Sequence, residues 1–287
     1  MKKIGVIIPV YNGETFIEKS IKSLLNQTFK HWLAIIINDG SKDKTKEILN
    51  EYSNDNRFHI IHFDHNRGRP YARQKGLEIV KELELKYMCM LDADDWYYPD
   101  KLKFQFEIME KNNDLTLVSS AIGVTNGKRH LFKIIKPFAN FQEFFFSDYK
   151  SFIKLPHASS IIRVSQINKK IGYDENLKLS QDQDFLRRLL INKNYAFDPD
   201  IQYIYNREDS FSIKKYKSSM YYNFLSFKNL KLGTKANTIY YIKNKIKYRL
   251  VWLLSLLNLE KIYLSKVGID PTQSELIEFK KHQNKLH

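Results

Sequence analysis

Tyr87-Met88-Cys89-Met90-Leu91-Asp92-Ala93-Asp94-Asp95-Trp96 runs from an unbroken apolar stretch straight into three carboxylates. A short apolar run bounded by polar residues reads as a strand buried on both faces, the kind found in parallel sheets. The acids then emerge at its carboxyl end, where ligands dock in open α/β sheets. Carboxylates held side by side repel one another, and a cation commonly keeps them together. Donors that are all oxygen favour Mg²⁺ or Mn²⁺ over zinc. Such an ion, with coordination positions left open, suits the oxygens of a diphosphate. The same acids could instead form a solvated turn that caps the next helix.

Outward from this stretch, apolar runs alternate with helix-period segments through the first hundred residues, the pattern of successive βαβ units. Strands are expected at 3–10, 32–38, 58–63, 87–91 and 115–123. Between the first two, Ile17, Ile21, Leu24 and Leu25 share one helical face, with Asn12 as N-cap candidate. Similar stripes fall at 45–52, 70–83 and 100–112. Four strand ends therefore aim their loops at one edge: Tyr11-Asn12, Asp39-Gly40-Ser41, residues 66–73 and Asp92 to Asp95.

After residue 123 the alternation breaks down. A strand at 128–136 following an Asn126-Gly127 turn, an aromatic element of open type at 141–146, a strand at 159–163, a helix at 182–191 and a last short strand at 201–205 are expected. His59, His62 and His65 step along a strand in threes, which alternates faces, so they are not expected to converge on one ion.

With 287 residues, 43 % of them hydrophobic, and only 10 Gly and 7 Pro, the chain is a globular one with a full core. Its single cysteine, Cys89, sits inside the strand, which excludes an internal disulfide framework and suits a reducing compartment. The first apolar stretch is too short for a signal peptide and reads as strand. The net charge of +15 is lopsided. Residues 214–266 carry twelve Lys/Arg against the single acid Glu260, so an anionic partner is expected at this end. From 218 to 267 the chain is helical in character and interleaves aromatics with lysines. Its most apolar stretch, 250–259, is too short to cross a bilayer, which takes about 20 apolar residues. It reads either as an amphipathic element on an anionic membrane surface or as a helical pair packed on the body with a solvated basic face.

Taken together the strand-end motifs resemble those of the family 2 inverting glycosyltransferases with the GT-A fold, of the bacterial surface-polysaccharide type. The resemblance is carried by Val6-Ile7-Ile8-Pro9-Val10-Tyr11-Asn12, Gln27-Thr28-Phe29, Ile36-Ile37-Asn38-Asp39-Gly40-Ser41-Lys42-Asp43, Asn66-Arg67-Gly68 with Ala72-Arg73, and Leu91-Asp92-Ala93-Asp94-Asp95 with Pro99. It continues through Gly172-Tyr173-Asp174-Glu175, Gln181-Asp182-Gln183-Asp184 and Tyr205-Asn206-Arg207 with Ser210 and Ser212. It implies a GT-A (Rossmann-like) mixed, mainly parallel sheet flanked by helices. The catalytic domain would span 1–213, with a nucleotide-sugar half at about 1–125 and an acceptor half at about 126–213. A basic, aromatic helical region, 214–287, follows it.

The resemblance also implies roles. Tyr11 would stack on the base and Asp39 accept its hydrogen bonds, alongside Pro9 and Asn12, although Tyr-Asn and Asp-Gly-Ser are also common turn sequences. Asp94 would ligate Mn²⁺ or Mg²⁺, with Asp92 and Ala93 on the nucleotide sugar and Asp95 assisting or capping the next helix. Arg73, Arg207, Ser210 and Ser212 would serve the donor phosphates. Asp182 would be the general base that inversion requires. Its alternative is a first-turn acid in a Ser180-x-x-Gln183 capping box. His157 and Gln181 would line the acceptor side, or His157 could be a satisfied structural histidine. Asn38 and Gln181 depart from the pattern, where Asp and Glu are usual.

The implied activity is transfer from a nucleoside diphosphate sugar, a UDP-sugar favoured, to a hydroxyl of a glycan or lipid-linked acceptor. The implied place is the cytoplasm, at the inner face of the cytoplasmic membrane through 214–267. A nucleotidyltransferase is disfavoured because no Gly-x-x-x-x-Gly-Lys loop occurs. A nucleic-acid-binding protein is disfavoured because no such module is visible.

Overall fold

The computed structural model describes residues 2–125, 130–147, 155–206, 213–229, 234–256, 268–284 and 286. Its strands are β1 (Ile4–Val10), β2 (Trp32–Asn38), β3 (Phe58–His62), β4 (Tyr87–Met90), β5 (Trp96–Tyr97), β6 (Leu115–Thr125), β7 (Leu131–Ile135), β8 (Gln142–Phe146), β9 (Ile161–Arg163) and β10 (Lys193–Asn206). Its helices are α1 (Ile17–Leu25), α2 (Thr45–Asn50), α3 (Arg69–Glu82), α4 (Lys101–Lys111), α5 (Gln181–Leu190), α6 (Ile213–Asn229), α7 (Thr234–Leu256) and α8 (Gln273–Gln283). The described strands form one sheet of order β3-β2-β1-β4-β9-β6-β10-β5, with β7 beside β6 and β8 beside β10. Neighbours in β3-β2-β1-β4 run parallel, as do β6 and β10, while β9 is antiparallel to both β4 and β6. This is the mixed, mainly parallel sheet that the family resemblance implies.

The period-2 geometry of a strand explains why these runs are apolar throughout. Along β1, Ile4, Val6, Ile8 and Val10 face one core layer and Ile7 faces the other. The first layer is closed by α1, α2 and α4, the second by α3, α5 and α8. From β1 the chain steps outward through β2 to β3, then returns to lay β4 on the opposite side of β1. That reversal opens a crevice at the carboxyl ends of β1 and β4, the switch point where α/β sheets bind ligands.

Gly76 lets α3 settle on β1. A Cβ there would lie 2.4 Å from Ile7 Cγ2, closer than atoms pack. Gly76→Val is therefore expected to overpack the layer and cost roughly 2–3 kcal/mol, read as a lower urea midpoint at unchanged slope.

Several local readings are corrected. Asn12 does not cap α1, which starts at Ile17 with Phe16 at its N-cap. Asn12 takes a left-handed φ of 52°, and its side-chain oxygen accepts from Lys42 N–H at 2.9 Å, tying the first loop to the loop after β2. The Ser180-x-x-Gln183 box does not form: Ser180 has φ 60° and makes no capping bond, its hydroxyl lying 3.3 Å from the Ser219 carbonyl instead. The strand expected at 201–205 is the last third of β10, a 14-residue strand whose register shifts between Asp198 and Ile201. Asp198, Pro199 and Asp200 interrupt its apolar pattern at that bulge, where a proline is tolerated. Residues 141–146 resolve as β8, and the Asn126-Gly127 turn lies outside the described residues.

The helical region expected at 214–287 divides in two. Ile269 exchanges two 2.9 Å backbone bonds with Ile134 of β7, Lys133 and Lys136 pair with Asp270 and Glu275, and Phe279 of α8 is buried in the core. The final helix thus belongs to the body, whereas α6 is tied to α5 through the buried Ser226 and carries α7 in turn.

Candidate functional site

A pocket of about 290 Å³ opens at the switch point, lined by Pro9, Tyr11, Asp39, Arg69, Asp92 and Asp94 among others. Its floor is set by contacts between loops. Asp39 is buried, and its two oxygens accept from the N–H groups of Arg67 (2.7 Å) and Gly68 (2.9 Å). Gly40, at φ 69°, lets the two loops touch: a Cβ there would sit 2.4 Å from the His65 carbonyl carbon and 2.6 Å from Asn66 N. Asn38, which departs from a family pattern where Asp is usual, donates to His62 Nδ1 at 3.0 Å and accepts from Ser41 N–H at 3.2 Å. Burial, then Lys46, lowers the His62 pKa. A neutral ring accepting at Nδ1 calls for an amide donor, which an aspartate could not supply. Tyr11 stands exposed at the pocket's edge.

The three acids divide their work. Asp92 pairs with buried Arg73 at 2.7 Å. Burial opposes its ionisation, but the Arg73 and Arg69 guanidinium groups prevail and hold its carboxyl below the usual range. Asp95 is turned inward, accepting from the Tyr203 hydroxyl and from Asn206 N–H (2.8 Å). Burial first, then the charges of Asp94 and Asp92, push its carboxyl well above the usual range. It neither caps α4, whose N-cap is Asp100, nor lines the pocket. It anchors the acidic turn to β10. The Ser20 hydroxyl, 2.6 and 2.5 Å from the Ala93 and Asp95 carbonyl oxygens, holds the turn from α1. Asp94 is left half-exposed in the pocket wall.

Asp182 stands half-buried in the first turn of α5. Its charge is felt by Arg73, His157 and Tyr173, and that of Asp92 by the same three, which places the two acids around one cluster. The Arg73 Nε is buried with no hydrogen-bond partner. His157 Nε2 meets the Tyr173 hydroxyl at 3.0 Å, and Tyr173 stacks on Phe185 at 4.5 Å, one turn beyond Asp182. Gln181 is buried and offers little surface. Arg207, Ser210 and Ser212 lie outside the described residues.

Burial, reinforced by Arg73, lowers the His157 pKa to about 4 from 6.5, against the opposite pull of Asp182 and Asp92. His157 is therefore neutral at pH 7, a support for Tyr173. The unfolded chain binds a proton near pH 6.5 that the folded chain takes only near 4, so this group subtracts stability as pH falls through that window. Asp198, raised to about 6 by burial, has the opposite sign. Comparing His157→Gln with its parent isolates the histidine. The variant's stability deficit in urea is expected to be larger at pH 7 than at pH 4, by at most about 3 kcal/mol.

Some residues that build the site carried no signal in sequence. Arg69 and Tyr203 are among them. So is the buried knot behind α5: the Ser226 hydroxyl donates to Asp184 (2.8 Å), Arg187 donates to Ser226 (2.9 Å) and Asn223 (3.3 Å), and Arg188 pairs with Asp184 and reaches the Gly172 carbonyl at 2.5 Å. Only the Asp184/Arg188 spacing of four could have hinted at it.

The family model described as glycosyl transferase family 2 matches residues 5–168. MJ1057 of Methanocaldococcus jannaschii, an uncharacterized glycosyltransferase, is 33 % identical over 281 residues, 93 % of this chain and 92 % of the relative. TuaG of Bacillus subtilis (strain 168), whose name places it in teichuronic acid biosynthesis, is 39 % identical over 107 residues, 37 % of this chain and 41 % of its own. Among solved structures, S. aureus TarS 1–349 in complex with UDP aligns at TM-score 0.61 and 20 % identity, over 78 % of this chain and 65 % of that one. The mannosyltransferase PcManGT from Pyrobaculum calidifontis, in complex with GDP-Man and Mn²⁺, aligns at 0.60 and 13 %, over 99 % and 84 %. At these identities the two structures show a shared fold.

Proposed function

Because this chain belongs to glycosyl transferase family 2, we propose that its switch-point pocket binds a nucleoside diphosphate sugar and that Asp182 directs inverting transfer of the sugar to an acceptor hydroxyl. The observation that carries this reading is the placement of Asp92 and Asp182 around one buried cluster, with Asp94 in the pocket wall. Residues 1–125 form the donor half and 126–213 the acceptor half, with α6 and α7 beyond them and α8 packed back on the body. A UDP-sugar is favoured, in keeping with the UDP bound by TarS.

The ring of Tyr11 stacks on the base, and Asp39 orders the loop beside it while its remaining lone pairs face the base edge. Asp94, with Asp92 beside it, offers carboxylate oxygens at an open pocket edge, a donor set that fits Mn²⁺ or Mg²⁺. A divalent cation held there would supply charge neutralisation for the leaving diphosphate. Arg73 keeps Asp92 ionised. On the other wall, an Asp182 carboxylate oxygen takes the proton of the acceptor hydroxyl. The acceptor hydroxyl's oxygen forms its bond to the anomeric carbon as the bond to the diphosphate oxygen breaks, with inversion. The acceptor is a glycan or lipid-linked glycan of a surface polysaccharide, a class to which the name of TuaG points.

A thermal-shift titration with UDP, GDP, CDP and dTDP, each with and without Mn²⁺, tests the donor site. One nucleotide is expected to raise the melting temperature, and more so with the cation. A folded protein that responds to none of the four would sink the assignment.

A further inference from the structure

Helix α7 shows an apolar face that nothing in the described protein covers. Val251 is fully buried and Tyr248 half-buried, its ring 5.6 Å from the Lys217 ammonium of α6, which fixes the inward side. At 3.6 residues per turn, Ile239, Ile242, Ile246, Leu250, Leu253 and Leu256 fall in an arc of about 120° on the opposite side. They range from 47 % (Ile239) to 63 % (Ile246) exposed. The flanks of this arc are basic. Lys243 and Lys247 lie along one border, Lys245 along the other, and Arg249 just inside that second edge between Leu256 and Ile242, all exposed. Neither α6 nor α7 contains an Asp or Glu.

We propose that this outer face of α7 docks on the surface of an anionic lipid bilayer, the apolar arc entering the acyl boundary and the lysines meeting headgroup phosphates. Apolar side chains bordered by Lys/Arg suit the two layers of such a surface. A second copy of the chain fits less well, because pairing two α7 helices would bring like charges together with no acid on either. Among the described residues no helix is long and apolar enough to cross a membrane, so the contact is peripheral. The proposal stands independently of the transfer reaction.

Cosedimentation of the full chain with phosphatidylcholine vesicles, with and without phosphatidylglycerol, is the test. Binding is expected with the anionic lipid and to weaken with salt. Lys243→Gln with Lys247→Gln should lower the partition coefficient roughly tenfold or more. Leu250→Ser with Leu253→Ser should lower it by a similar factor. All four positions are exposed, and circular dichroism verifies that the variants fold. In the unaltered protein, brominated lipid should quench fluorescence, and Trp252→Phe, beside the arc, should reduce that quenching. Binding that ignores the leucine pair would reduce the contact to simple charge attraction and overturn the insertion. So would absence of binding, or a concentration-dependent dimer in sedimentation velocity that the leucine pair abolishes.

Discussion

Asp182→Asn is expected to lower turnover by roughly 10²–10⁴-fold while the nucleotide-induced thermal shift persists. The split follows from position. Asp182 sits on α5 and is not among the residues lining the pocket, which come from the end of β1, the strand-end loops and α3. It is felt by Arg73, His157 and Tyr173, all buried, so an amide of the same shape should leave the packing intact. What disappears is the acceptor for the incoming hydroxyl's proton. Initial rates at saturating donor, compared with donor affinity from the same preparation, separate the two effects. A variant within tenfold of the parent rate would place the base elsewhere.

Asp94→Asn should act on the other side of the reaction. The cation-dependent part of the nucleotide shift is expected to vanish, and turnover to fall by roughly 10²–10³-fold, the scale set by losing one electrostatic stabiliser of the leaving group. Asp94 is the informative choice among the three acids. Removing Asp92 strands a buried guanidinium, and breaking such a pair costs about 3–5 kcal/mol in general, so its variants would mix instability with lost chemistry. Removing Asp95 unpins the turn from Tyr203 and Asn206. An Asp94→Asn protein that keeps its full Mn²⁺-dependent shift would remove this residue from the cation site. Titrating Mn²⁺ against both proteins at fixed nucleotide decides it.

Strands β1, β2 and β4 were legible because both of their faces are buried, which leaves an apolar run with no alternation to misread. Strand β3, half-buried at the end of the sheet order, was legible from Phe58, Ile60 and Ile61. β2 was read to the residue and β1, β3 and β4 to within one. Legibility failed where the backbone turns left-handed or bulges. Asn12 and Ser180 look like helix caps, yet positive φ angles remove both from that role. The acids and proline at 198–200 masked the continuity of β10. Within the site, the acidic turn announced itself, whereas the division of labour among its members did not. That division depends on Tyr203, which lies 108 residues away from Asp95 and is brought beside it by the sheet. Similarly, Asn38 reads as a departure from pattern until His62 is placed beside it.

The distance between Asp95 and its partners has a bearing on how the protein comes into being. The loops around Asp39 and the strand that carries Asp92 are complete early in the chain, but Tyr203 and Asn206 arrive last, paired through β10 with a segment some eighty residues back. Contacts of such long sequence separation close late during folding. A nascent chain that ends short of residue 203 holds most of the pocket wall, with its acidic turn held by Ser20 but without the Asp95 side-chain anchors. Nucleotide then has no finished site to stabilise, and ligand can rescue only chains that have already folded through to the final strand.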